Sequence, residues 1–358
     1  MVNEYRPDYA VPPGEILAEE MEAKQLSQSD LADRTGLSRK TINEIVNGKA
    51  PISPETALKF EPVFRQPARY WMNLERNYQE TLARLQEQAA LEQHVTWLDT
   101  QPLKEMIGWG WIEKKSDPVE QLRDLLTFYS ISNPNQWGKV WSNLAVAYRK
   151  ANIAETSPFA ISAWLRQGQL EATKISCKTY SKDSFAESFS EIRGFTREAD
   201  PKIFVRKLID VCAMNGVAVV FLPELKKTGI CGATYWQGDT PVIQLSLRYK
   251  SDDHLWFTFF HEAGHIVLHG KKELFLEGNR PDNNKEQEAN DFAARSLIPK
   301  DKYSELLIIS HFSESVIVSF AESLGIAPGI VVGRLQHDQM VPYTHFNALK
   351  NRFVWTRN

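Results

Sequence analysis

Residues His261-Glu262-Ala263-Gly264-His265 lie in a markedly apolar run that includes Leu255, Trp256, Phe259, Phe260 and Ile266. Apolar residues recurring at three and four positions predict a helix, and histidines four apart then share one of its faces. Two imidazoles and a carboxylate inside an apolar environment are costly unless something satisfies them. The spacing supplies a means: both rings converge on one metal ion, and Glu262 stands beside a water activated by it. The fold must therefore wall in this helix and bring a third ligand to it from elsewhere in the chain, leaving one position open.

A second helix is predicted downstream, from Lys285 to a stop at Pro299. Glu286 and Asn290 are four apart on it and stack, so Glu286 can ligate while Asn290 orients a ligand histidine. Glu288 is the alternative third ligand, but it points roughly 200° round the helix from Glu286. With Lys285 and Asp291 it suits a solvated face. His269, four residues after His265, falls too far along the axis for a third ligand and reads as a helix-end histidine.

The string His261 to His269, followed by Glu286-x-Glu288-Ala289-Asn290-x-Phe292-Ala293, resembles the ImmA/IrrE family of metallo-endopeptidases over about residues 200–300. The resemblance implies a zincin-like fold and a zinc ion (Zn2+) held by His261, His265 and Glu286, with Glu262 as general base. It also implies a regulator that cleaves or inactivates a repressor protein. Every motif residue is kept; only Ser296-Leu297-Ile298-Pro299 departs slightly from the usual Leu-Leu-Met-Pro ending.

Ahead of the motif, Val217–Leu222, Gly232–Trp236 and Pro241–Leu245 are rich in β-branched and aromatic residues and read as strands. Val242 to Leu245 is the candidate edge for pairing with an extended peptide. Tyr343, His337 and His345 are late polar residues, none of them identifiable as a transition-state donor. Six tryptophans from Trp97 to Trp164 mark a helical middle region, expected to have its own core.

The start of the chain has a different pattern. Ser27 caps a helix that stops at Thr35-Gly36, Ser38 opens the next, and Ser53-Pro54 starts another. Two helices joined by a tight turn make a helix-turn-helix. Residues 13–65 resemble the Cro/repressor (XRE) family, and Pro13-Gly14-Glu15-Ile16-Leu17 resembles its HigA-type antitoxin branch. That places Gln28 near a phosphate backbone and Ser38, Arg39, Lys40, Thr41 and Asn43 where base edges are read. Acidic side chains outnumber basic ones between Gly14 and Arg65, so binding to a double-stranded operator should need a homodimer and fall with salt.

The net charge of −3 excludes a chain that coats nucleic acid with its whole surface. Three separated cysteines exclude a disulfide framework. No apolar run approaches a membrane span or a signal peptide, so the expected location is the cytoplasm. The expected fold class is α+β: an all-α helix-turn-helix DNA-binding domain over 10–70, a helical connecting region over 71–200, and a zincin-like metallopeptidase domain over 201–358. The expected function is a transcriptional regulator fused to a zinc endopeptidase that cuts a specific regulatory protein, such as a partner repressor or toxin, or itself. The competing expectation is a non-proteolytic repressor or antitoxin whose zincin-like domain senses a ligand or partner.

Overall fold

The computed structural model describes residues 9–141, 156–269, 275–276, 284–309 and 311–355. The chain divides into two compact units, residues 1–95 and 96–358, and its class is α+β.

The first unit is a set of helices: α1 (Pro13–Ala23), α2 (Gln28–Thr35), α3 (Arg39–Val46), α4 (Pro54–Phe64) and α5 (Ala68–Glu92). The predicted caps form. The Ser27 and Asp30 side chains each accept a hydrogen bond from the other's backbone N–H, at 3.1 and 2.9 Å. Such a cap contributes about 1 kcal/mol. Gly36 ends α2 in the left-handed conformation at φ +68°, which costs glycine nothing. Leu17, Leu31, Ile42, Ile45, Phe60 and Trp71 form the core. Trp71 belongs to α5, and Glu75, one turn on, accepts the Ile52 N–H at 3.0 Å. The long polar helix is thus fixed at its base by a buried ring and a buried carboxylate.

The second unit is built on a sheet in the order β1-β3-β2-β4: Ala218–Phe221, Thr240–Leu245, Gly232–Gln237 and Phe275–Leu276. β1 runs parallel to β3; β2 and β3 are an antiparallel hairpin turned at Gly238-Asp239. β3 is flanked on both sides, so Val242–Leu245 is not the edge expected for a peptide substrate. Its backbone donors and acceptors are already taken by β1 and β2.

Both faces of the sheet are covered, which is why its strands read as apolar runs rather than alternating ones. Ala218, Val220 and Val242 face one core; Val219, Ile243 and Leu245 face the other. The tryptophan-rich stretch lies on the first side. Trp141 and Trp164 share their core with the strands instead of enclosing one of their own. Gln244 joins the layers, its fully buried amide donating to the Trp164 carbonyl at 2.7 Å.

On the second side lie the helix Pro201–Met214 and the helix Asp252–Leu268, called here the metal helix. Residues 350–353 return to the start of the metal helix. Phe353 packs against Phe204, which packs against Trp256. Lys350 Nζ is 2.6 Å from Asp253 Oδ2, both side chains buried. Asn351 bonds Asp252 through backbone and side chain, at 3.1 Å each. Among the described residues, no single helix is long and apolar enough to cross a membrane. Cys177, Cys212 and Cys231 are not joined to one another in disulfides.

Candidate metal centre

The metal helix is buried round almost its whole circumference, and His261, His265 and Glu262 are each no more than 1% exposed. Beside it runs the helix Asn284–Leu297, here the carboxylate helix. The two approach closely at Gly264, where a Cβ would stand 3.0 Å from a Phe292 ring carbon and 3.3 Å from the Ala289 Cα. Absence of a side chain there lets the Glu286 carboxylate reach both histidines.

His261 Nε2 and His265 Nε2 are 3.0 Å apart. Glu286 Oε2 is 3.2 Å from the first, and Oε1 is 3.5 Å from the second. In a tetrahedral zinc site with bonds of about 2.0–2.1 Å, neighbouring donors are about 3.3–3.4 Å apart. The three donors thus have the chemistry and spacing of three corners of such a tetrahedron. Burial drives His265 down to about 4 against the opposing pull of Glu286, so its ring is neutral at neutral pH. Burial alone would raise the Glu286 carboxyl, but hydrogen bonds with His261 and His265 overcome it and hold it at about 2. Neutral imidazoles and an ionised carboxylate are the forms a metal requires.

Asn290 Oδ1 lies 2.9 Å from His261 Nδ1, as the four-residue spacing from Glu286 predicts. Glu288 is not simply solvated: its Oε2 is 3.1 Å from His269 Nε2. Angular separation on one helix says only that Glu286 and Glu288 point apart; the adjoining helix decides what each meets. The Thr234 hydroxyl, on β2, donates to Glu262 Oε2 at 2.6 Å. A Cβ on Gly232 would fall 2.6 Å from Glu262 Oε1, so the carboxylate occupies room left by that glycine. Thr234 escaped the sequence reading because strand residues distant in sequence carry no spacing signal toward the motif. Of the late polar residues, Tyr343 is largely exposed. His337 faces Asp338, and His345 faces Thr344 and Phe346.

In the N-terminal unit, Arg39, Lys40 and Asn43 are exposed on α3, and Gln28 is half-buried at the start of α2. Arg39 bonds Ser29, and Lys40 lies 3.8 Å from Glu44 in a solvent-exposed pair. Ser38 is engaged as the cap of α3, accepting from the Thr41 N–H and meeting its hydroxyl. Asn43 accepts from the Asn47 amide through both its backbone and side-chain oxygens.

Residues 17–71 match the helix-turn-helix family, and residues 212–323 match the IrrE N-terminal-like domain family of the M78 peptidases. An uncharacterised HTH-type transcriptional regulator of Haemophilus influenzae is 35% identical over 95 residues, which are 23% of this chain and 87% of that protein. Virulence-associated protein A of Dichelobacter nodosus is 32% identical over 88 residues, 24% of this chain and 82% of that one. Among solved structures, an addiction module antidote protein of the HigA family from Coxiella burnetii is 29% identical, covering 24% of this chain and 92% of its own, with a TM-score of 0.22. The Pseudomonas aeruginosa antitoxin HigA, solved with the higBA promoter, is 33% identical over 21% of this chain and 83% of its own, with a TM-score of 0.21. The second unit carries a metallopeptidase-like domain and the first a transcription-regulator domain: the chain joins an IrrE-like domain of the M78 family to a Cro/repressor-type helix-turn-helix that precedes it.

Proposed function

We propose that the chain is a cytoplasmic DNA-binding regulator whose second unit is a zinc-dependent endopeptidase, acting on one regulatory protein or on itself. The observation that carries the reading is the convergence of His261 Nε2, His265 Nε2 and Glu286 at zinc-like separations, with Glu262 adjacent in sequence to His261. Bound there, zinc supplies a Lewis acid that polarises a peptide carbonyl and makes water more acidic. Glu262 is the general base: it takes a proton from the attacking water and returns it to the leaving amine. Thr234 fixes one oxygen of that carboxylate and Gly232 leaves room for the other. Asn290 holds the His261 ring.

The helix-turn-helix makes the reading one of selective cleavage rather than digestion. In it Gln28, Arg39, Lys40, Thr41 and Asn43 address a double-stranded operator, and two copies are needed because one such module binds weakly.

The test is metal content together with cleavage. Purified protein should carry about one zinc per chain, and His261→Ala should lose it. Glu262→Gln should keep the metal, lose proteolysis and retain its bound substrate in pull-downs from cells. A metal-free wild-type chain sinks the site. Undiminished cleavage by Glu262→Gln removes the general base, and zinc uptake without any cleavage favours the sensing reading.

A further inference from the structure

We propose that His269 and Glu288 form a hydrogen-bonded relay that orients His265 and sets the chain's affinity for its metal. This rests on the zinc site proposed above. His265 Nε2 faces the cluster. A neutral imidazole that offers its lone pair at Nε2 carries its proton on Nδ1. His265 Nδ1 is 3.0 Å from His269 Nδ1. That contact is a hydrogen bond only if His269 Nδ1 accepts, which places the His269 proton on Nε2. His269 Nε2 in turn is 3.1 Å from Glu288 Oε2, a carboxylate that only accepts. Donation therefore runs one way, His265 to His269 to Glu288, and each tautomer is the one ligation needs.

The local fold explains why His269 is available. The metal helix ends at Leu268, and His269 is its C-cap in extended conformation, φ −112° and ψ 156°. Its ring is nonetheless buried and packs 5.1 Å from the His265 ring, centroid to centroid. Its distance along the axis, which argues against ligation, suits it to support the ligand before it. The two ligand histidines are thus held differently. His261 meets a neutral amide, whereas His265 is linked through a second imidazole to a side chain 60% exposed. A carboxylate at the end of such a chain raises the basicity of the ligand as well as fixing its angle.

The experiment is a zinc competition titration of the full-length protein against a chromophoric chelator, with the visible spectrum of the cobalt(II)-loaded form as second readout. His269→Ala and Glu288→Ala should each weaken zinc roughly ten- to hundred-fold and shift the cobalt bands. His269→Asn should recover part of the loss, because its side-chain oxygen replaces the accepting Nδ1. Glu288→Gln should also recover part, because its carbonyl still accepts from His269. Glu288 is exposed, so Glu288→Ala should leave the thermal unfolding of the metal-free chain unchanged, which separates orientation from folding. Affinities within about twofold of wild type in both alanine variants, with unshifted cobalt bands, would overturn the relay. A wild-type chain that takes up no zinc overturns the site itself, and the wild-type titration distinguishes that failure from the first.

Discussion

Asp252 opens the metal helix with no exposed surface, and burial raises its carboxyl to about 6. An acid whose folded value lies above its unfolded one favours folding most when protonated. Its contribution is complete below the ordinary value of 3.8 and is lost as the pH rises through about 6. At 1.36 kcal/mol per unit the effect is on the order of 3 kcal/mol. Asp252→Asn keeps an oxygen for Asn351 and removes the ionisation. Urea unfolding at pH 4.5 and 7.0 should show the variant gaining on wild type as pH rises; a constant difference between the two would contradict this. Ser38 illustrates the other side of residue-scale reading. It is both a cap and a candidate base reader in sequence, and its bond to the Thr41 N–H shows the first role satisfied.

At the scale of elements, the contact between the metal and carboxylate helices determines the donor separations. Gly264→Val should force that contact apart, costing roughly 1–3 kcal/mol as an overpacked core does and lowering zinc affinity with it. Chemical denaturation and metal titration of the same preparation check both, and unchanged affinity despite lost stability would separate the site from the helix spacing. Helical geometry is also why this site was legible in sequence. A period of 3.6 residues puts His261 with His265 and Glu286 with Asn290, whatever surrounds them. The same rule puts Glu288 on an exposed face, where it lies, but a single helix does not reveal the His269 ring that it meets. Strand period says nothing of strand order: it offers β3 as an edge, and the parallel β1 covers it. The tryptophans of the middle region announced burial but not the sheet against which they are buried.

At the scale of the molecule, each unit has cores formed from its own residues. Arg39→Ala combined with Lys40→Ala changes only exposed side chains of the first. The double variant should abolish operator binding in a gel-shift assay while zinc content stays at that of wild type; a loss of zinc would reveal dependence of one unit on the other. The segment 350–353 adds a matter of timing. Asp252 and Asp253 acquire their Asn351 and Lys350 partners, and Phe204 its contact with Phe353, only when those residues have been synthesised. At ~5–20 residues per second, that is on the order of tens of seconds after residue 95 has been added. The helix-turn-helix is therefore free to fold on a growing chain well before the metal helix is fastened, and a transcript cut short before codon 350 would yield a folded N-terminal unit followed by an unsecured second one.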